Sequence, residues 1–278
     1  MRRSSIVVVL AVVVSAMVLG TAATVLAQPH TRHKSTTSAT APTGDGYMPG
    51  SATRSSSGGS AATRPSQVLN LQNWYLTLPT GSSGKPDTVR QPDLAGYSSQ
   101  FFKLDPSRDG VAFTSNAGGV TTANSTYPRS ELREMDGTKL ASWSNKSGTH
   151  TLEVRQAVTA LPKAKPELVT AQIHDTQSDV MEVRLEGKKL IGQYADGKQE
   201  FVIDPSYVLG TPYDLRIVAA SGHIDVFYNG THAGGLKQTG SGWYFKTGAY
   251  LQSNTSRGDS ANAVGTVVLY SVGVTHSE

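Results

Sequence analysis

Cysteine is absent from all 278 residues, which excludes a disulfide framework, a thiolate metal site and a cysteine nucleophile. Long amphipathic helical runs are missing too, as are a parallel βαβ pattern and an internal repeat. Helix bundles, doubly wound sheets and solenoids are therefore set aside. Basic stripes of the kind that track nucleic acid are also lacking, and no nucleic-acid partner is expected. The formal charge of +4 misleads on that point, because Arg2, Arg3, Arg32, Lys34, Arg54 and Arg64 precede Gln67 against Asp45 alone. From Gln67 onward the chain carries 19 basic and 20 acidic residues, a net charge of −1. A grip on an anionic partner must come from a local cluster rather than from bulk charge.

What is present falls into three regions. Residues 1–27 join a charged start (Arg2, Arg3) to an uncharged apolar run and end on Val25, Leu26 and Ala27, the pattern of a secretory signal peptide cleaved after Ala27. The alternative is an N-terminal membrane anchor, since a span needs ~20 apolar residues. Residues 28–66 are rich in Ser, Thr, Ala, Gly and Pro with almost no large apolar side chains. Such a segment buries too little surface to offset its chain entropy, and a disordered linker is expected. Residues 67–278 are short apolar or alternating runs cut by turn residues such as Glu186-Gly187, Asp196-Gly197, Ser221-Gly222 and Asn229-Gly230. About a dozen strands at this spacing predict an all-β fold, a two-sheet antiparallel β-sandwich of jelly-roll type. Without disulfides, its stability outside the cell would rest on packing.

Three stretches place polar chemistry on one face of a strand and apolar residues on the other. In Tyr244–Gln252, Tyr244, Lys246, Tyr250 and Gln252 share a side opposite Phe245, Ala249 and Leu251. Aligned phenols, an ammonium and an amide require water or a polar ligand on that face. In Tyr127–Met135, Arg129, Glu131 and Arg133 share a side opposite Ser130, Leu132 and Glu134. Two guanidiniums bracketing a carboxylate let Glu131 fix its neighbours while one arginine keeps donors for an external carboxylate. A solvated ladder of ion pairs is the alternative. In Ala171–Asp175, Gln172 and His174 share a side opposite Ile173. A neutral imidazole accepts a carbon-bound proton and a carboxamide donates to an oxyanion; a histidine bonded on a sheet surface is the alternative. One concave sheet carrying all three stretches is simpler than three unrelated accidents.

The set resembles the alginate lyases of polysaccharide lyase family 7. Arg129-Ser130-Glu131-Leu132-Arg133 matches their Arg-(Ser/Thr)-Glu-Leu-Arg motif, Gln172-Ile173-His174 their Gln-(Ile/Val)-His, and Tyr244 to Tyr250 their Tyr-Phe-Lys-x-Gly-x-Tyr. Asn73 to Pro79 is similar to their opening strand, and the resemblance runs from about Val68 to the end. It implies a concanavalin A-like jelly roll with a concave groove, cleaving the 1,4-bonds of an acidic polysaccharide, alginate, by β-elimination. Arg129 and Gln172 would neutralise the uronate carboxylate, His174 or Tyr250 would take the C5 proton, and Tyr250 would protonate the leaving oxygen. By the same resemblance Tyr250 alone serves mannuronate while His174 is the base for guluronate. The resemblance makes Glu131, Arg133, Lys246, Tyr244 and Gln252 substrate-binding or supporting residues. The scheme requires no metal or other cofactor, and an open groove implies endolytic action by a secreted monomer. Ile rather than Val at Ile173 goes with guluronate acceptance in the family, an effect that can only be indirect if Ile173 faces the core. Two other functions share these residues: a lyase for another uronan such as glucuronan, and a non-catalytic module binding acidic glycans. Only a lyase needs both His174 and Tyr250.

Overall fold

Alternating burial is plainest between Thr149 and Ala160, where Leu152, Val154 and Val158 are buried while Glu153 and Arg155 are exposed. A strand of that pattern must lay one face on another layer, and two such layers make a sandwich. The structure, a computed structural model, describes residues 61–278. The expected signal peptide and the linker up to residue 60 lie outside the described residues. No helix among the described residues is long and apolar enough to cross a membrane.

Seventeen strands are described. The chain opens with β1 (Trp74–Ser82), β2 (Lys85–Val89), β3 (Phe102–Leu104), β4 (Val111–Asn116) and β5 (Arg129–Asp136). Two short pieces, β6 (Lys139–Leu140) and β7 (Trp143–Ser144), lead into β8 (Thr149–Ala160) and β9 (Glu167–His174). Next come β10 (Asp179–Glu186), β11 (Lys189–Tyr194), β12 (Gln199–Asp204) and β13 (Tyr213–Ala220). The last are β14 (His223–Tyr228), β15 (Thr231–Lys237), β16 (Ser241–Leu251) and β17 (Val264–Ser277). One sheet has the order β12-β11-β10-β9-β16-β5-β1-β2, with β6 beside β5 and β7 beside β16. The other has the order β15-β14-β13-β8-β17-β4-β3. Every pairing between these strands is antiparallel, giving the expected two-sheet jelly-roll sandwich.

The core lies between the sheets. Leu132, Ile173, Val183, Phe245 and Leu251 meet Leu152, Ile217, Val226, Val267 and Leu269, all fully buried. Each such side chain contributes roughly 1.5–3 kcal/mol from its removal from water. Ile173 faces this core, as its neighbours' alternation requires. Val68 to Leu71 is not a strand: it comes after a 3-10 turn at Pro65–Gln67, and Leu69 and Leu71 are buried. Pro65 is buried as well, so the packed domain begins slightly before residue 67.

The central strand of the first sheet, β16, carries one residue more than β9 between Thr247 and Tyr250. Gly248 occupies this bulge at φ +135°, where an added Cβ would lie 2.7 Å from the Ser130 carbonyl oxygen and 3.0 Å from the Glu131 Cα. Only glycine combines that backbone with that approach. Ala249 and Leu251 still face the core, and Tyr250 stays on the outer face with Lys246.

Candidate active site

Pairing of β10, β9, β16, β5 and β1 writes the outer face as transverse rows. Tyr75 pairs with Arg133, Arg133 with Lys246, Lys246 with Gln172, and Gln172 with Glu182. A second row pairs Tyr244 with His174, and a third pairs Arg129 with Tyr250. Neighbouring strands lie ~4.8 Å apart, so three distant sequence motifs become adjacent columns. A groove of about 400 Å³ crosses them, lined by Arg129, Arg133, Gln172, His174, Tyr244, Lys246 and Tyr250 among others.

Beneath the groove lies Glu131, 2% exposed. It accepts from Arg129 Nη1 at 3.2 Å, from Lys246 Nζ at 2.6 Å and from Gln172 Nε2. Gly248 stands opposite Glu131 in the ladder. The expectation that Arg129 and Arg133 jointly bracket Glu131 needs correction: the second cation is Lys246. Arg133 instead donates to the carbonyls of Glu134 at 2.8 Å and Ala141 at 3.4 Å, and lies over the Tyr244 ring at 3.8 Å. Register between strands decided this, and register is not written in any one strand.

Electrostatics reflect that burial. Burial alone would raise the Glu131 carboxyl, but Lys246 and Arg129 outweigh it and hold the group below the usual carboxylate range. Burial opposes the charge on Arg129, and Glu131 with Tyr250 more than offsets it, so the guanidinium stays charged. Lys246 is pushed down to about 8, first by burial and then by Arg129, with Glu131 pulling the other way. At neutral pH the trio is two cations on one carboxylate, a net positive charge facing the groove. One N–H of the Gln172 amide is used by Glu131, and an amide has two. Arg129 Nε, buried, has no hydrogen-bond partner among the described residues. Both side chains therefore hold unused donors.

His174 Nδ1 lies 2.6 Å from the Asp175 carbonyl oxygen and 3.1 Å from the Tyr244 hydroxyl. Donation to that carbonyl assigns the proton to Nδ1 and leaves Nε2 as a free acceptor. Burial, then Lys246, lowers the His174 pKa, so the ring is neutral near pH 7. Tyr244 stacks on it with centroids 5.5 Å apart, and burial raises the Tyr244 pKa, keeping that phenol protonated. Tyr250 has Arg129 over its ring at 3.8 Å and Lys246 at 5.9 Å. Its hydroxyl lies 3.0 Å from Ser125 Oγ.

Eight of the nine sequence-derived site residues thus form the groove wall or, for Glu131, its support. Gln252 stands apart: it is buried outside the groove lining, its Oε1 accepting from Arg184 Nη1 at 3.4 Å. Tyr75, Glu182 and Ser125 also line the groove. The first two had a signal, since Trp74-Tyr75-Leu76 and Met181-Glu182-Val183 alternate as the three motif strands do. Ser125 sits in a loop, where no periodicity points. Among the described residues no group of three or more His, Asp or Glu side chains is placed to hold a metal ion.

A jelly-roll sandwich whose groove pairs spare carboxylate-binding donors with an imidazole and a phenol defines the class of polysaccharide lyases acting on uronans. The chain belongs to the alginate lyase family: the family described as "Alginate lyase" matches residues 69–276. A solved alginate lyase of polysaccharide lyase family 7 is 44% identical with a TM-score of 0.75, over 78% of this chain and 100% of that one. A second family 7 enzyme, with one histidine changed to asparagine and one tyrosine to phenylalanine and solved with a GGMG substrate, is 28% identical. Its TM-score is 0.67, over 78% of this chain and 97% of that one. A curated alginate lyase of Klebsiella pneumoniae is 39% identical over 79 residues, which is 27% of this chain. The match spans about a quarter of that relative's length, 26%.

Proposed function

We propose that the domain cleaves alginate by β-elimination, with Arg129 and Gln172 as the carboxylate clamp and His174 and Tyr250 as the proton-transfer pair. The observation that carries this is the meeting, in one groove, of spare donors on Arg129 and Gln172 with the free Nε2 of His174 and the hydroxyl of Tyr250. The C5 proton of a uronate is poorly acidic while the adjacent carboxylate is ionised, because its removal builds more negative charge there. Donors aimed at that charge typically contribute ~3–4 kcal/mol each to the transition state. His174 Nε2 or the Tyr250 oxygen then takes the C5 proton, the electron pair forms the C4–C5 double bond, and the C4–O4 bond breaks. Tyr250 protonates O4. Where Tyr250 performs both steps the proton it gains returns to the leaving group; where His174 is the base, solvent restores both residues. Removing a proton from either face of the ring requires two bases, which supports His174 for guluronate and Tyr250 for mannuronate.

The relative solved with GGMG supports an alginate chain as the ligand of this groove. Endolytic cutting, secretion through residues 1–27 and action as a monomer belong to the same reading. A panel of uronans, including glucuronan, incubated with the domain without added metal tests it: ultraviolet absorbance from unsaturated uronate ends should appear with alginate. Absorbance with glucuronan alone would reassign the substrate, and tight binding without absorbance would leave a carbohydrate-binding module.

A further inference from the structure

Glu182 is an anomaly in a groove built for a polyanion. It lines the groove at 7% exposure, one strand beyond Gln172 in the same transverse row. Its carboxyl receives no hydrogen bond among the described residues. Arg184 Nη1 stands 3.9 Å from it, but that guanidinium is committed to Glu167, to Glu186 at 2.9 Å and to Gln252. On its own strand it faces Asp179 as well as Arg184. From β9 it faces Gln172 and His174, from β11 Gln193, from β16 Lys246 and from β5 Glu131. The Lys246 charge is shared with Glu131 at 2.6 Å. Burial, then Asp179, pushes the Glu182 carboxyl up to about 7, with Arg184 only partly opposing. An ionised carboxylate here would be desolvated, poorly paired and repelled by each uronate laid beside it, whereas a protonated one offers an O–H donor.

We propose that Glu182 is a substrate-selecting residue: as an uncharged carboxyl it donates a hydrogen bond to the uronate next to the one held by Arg129 and Gln172, so polymer binding requires its proton. This rests on the lyase reading of the groove and adds a binding determinant to it. Loss of the proton costs binding twice, through the lost donor and through a new negative charge.

Tri-guluronate binding to a Tyr250→Phe variant, measured by calorimetry between pH 6 and pH 8, isolates binding from chemistry. With Glu182 intact, affinity should fall roughly twentyfold across this range, about tenfold from a group titrating near its middle and about twofold from Lys246. In Tyr250→Phe with Glu182→Gln, which keeps the shape and a donor, the fall should shrink to about twofold, the share left to Lys246. Parallel curves for the two proteins, or loss of binding at every pH on Glu182→Gln with an unchanged Tm, would overturn the proposal. No binding by either protein at any pH would instead overturn the lyase reading of the groove, and this inference with it. A measurement free of Glu182 substitution is the carbon-13 titration of the Glu182 carboxyl in Tyr250→Phe. Its midpoint should rise when tri-guluronate is added, and a fall would show the anion to be the binding form.

Discussion

Glu131 and Glu134 lie three residues apart on β5, are 2% and 1% exposed, and face opposite ways. Glu131 gathers Arg129, Lys246 and Gln172, side chains that line the groove. Glu134 gathers Trp143 Nε1 at 3.0 Å, the Phe245 backbone N–H at 2.7 Å and His276 Nε2 at 2.6 Å. His276 meets His150 at 2.8 Å, and Trp143 stacks on His150 with centroids 4.4 Å apart. Those partners come from β7 and β16 of one sheet and β8 and β17 of the other, so Glu134 closes the seam between the layers. Burial of a carboxylate therefore does not mark an active site by itself. What separates the two is where the partners lie.

The largest effect that would break this comparison is on chemistry at the groove. Tyr250→Phe should lower turnover on every block type by ~10³-fold or more, and His174→Ala should cost guluronate cleavage ~10²-fold while leaving mannuronate within tenfold. Initial rates on homopolymeric blocks decide it, and equal losses on both would remove the division of labour between the bases. Next is Glu134→Ala, which strips the buried Phe245 N–H, the half-buried Trp143 and the more exposed His276 of their acceptor and should destabilise the domain by ~2–4 kcal/mol. Urea unfolding measures this, and a loss under ~1 kcal/mol would show that the seam does not depend on the carboxylate. Gly248→Ala comes third: a positive-φ strain of ~1–3 kcal/mol and a displaced Tyr250 should lower both Tm and turnover, a pairing that a purely structural glycine would not produce.

The smallest effect is on pH. Lys246, at about 8, is a cation below that pH and neutral above it. Raising the pH through 8 takes the trio with Arg129 and Glu131 from net positive to neutral, so KM for alginate should climb on the alkaline side. In Lys246→Met the part of that climb centred on pH 8 should be absent, KM being raised already at pH 7, and only the climb that sets in near pH 7 with Glu182 should remain. An unchanged climb in the variant would assign the titration to another group.

Fold and site were legible to different depths. Strands with one buried face, such as β8 and β14, announce themselves because the core demands alternation. β2 and β15 did not: Lys85-Pro86-Asp87-Thr88-Val89 and Thr231-His232-Ala233-Gly234-Gly235 are edge strands, where little apolar surface is asked for and proline or glycine is tolerated. The same alternation exposed Arg129, His174 and Tyr250 on polar faces. It could not tell that Lys246 rather than Arg133 meets Glu131, nor that Gln252, on the correct face, falls outside the groove. Those facts depend on cross-strand register and on the bulge at Gly248, which arise only when strands pair.

One measurement bears most directly on the division between the two faces of β5. Glu131→Gln and Glu134→Gln should be assayed side by side for release of unsaturated uronate, below the melting temperature of either. Glu131→Gln should lose ~10²-fold in kcat/KM and also melt lower, since an amide no longer organises or neutralises two buried cations. Glu134→Gln should cut alginate at the wild-type rate while melting lower by several degrees, in keeping with a loss of ~1–3 kcal/mol. Wild-type turnover in Glu131→Gln, or a comparable catalytic loss in Glu134→Gln, would contradict the assignment of catalysis to the groove face.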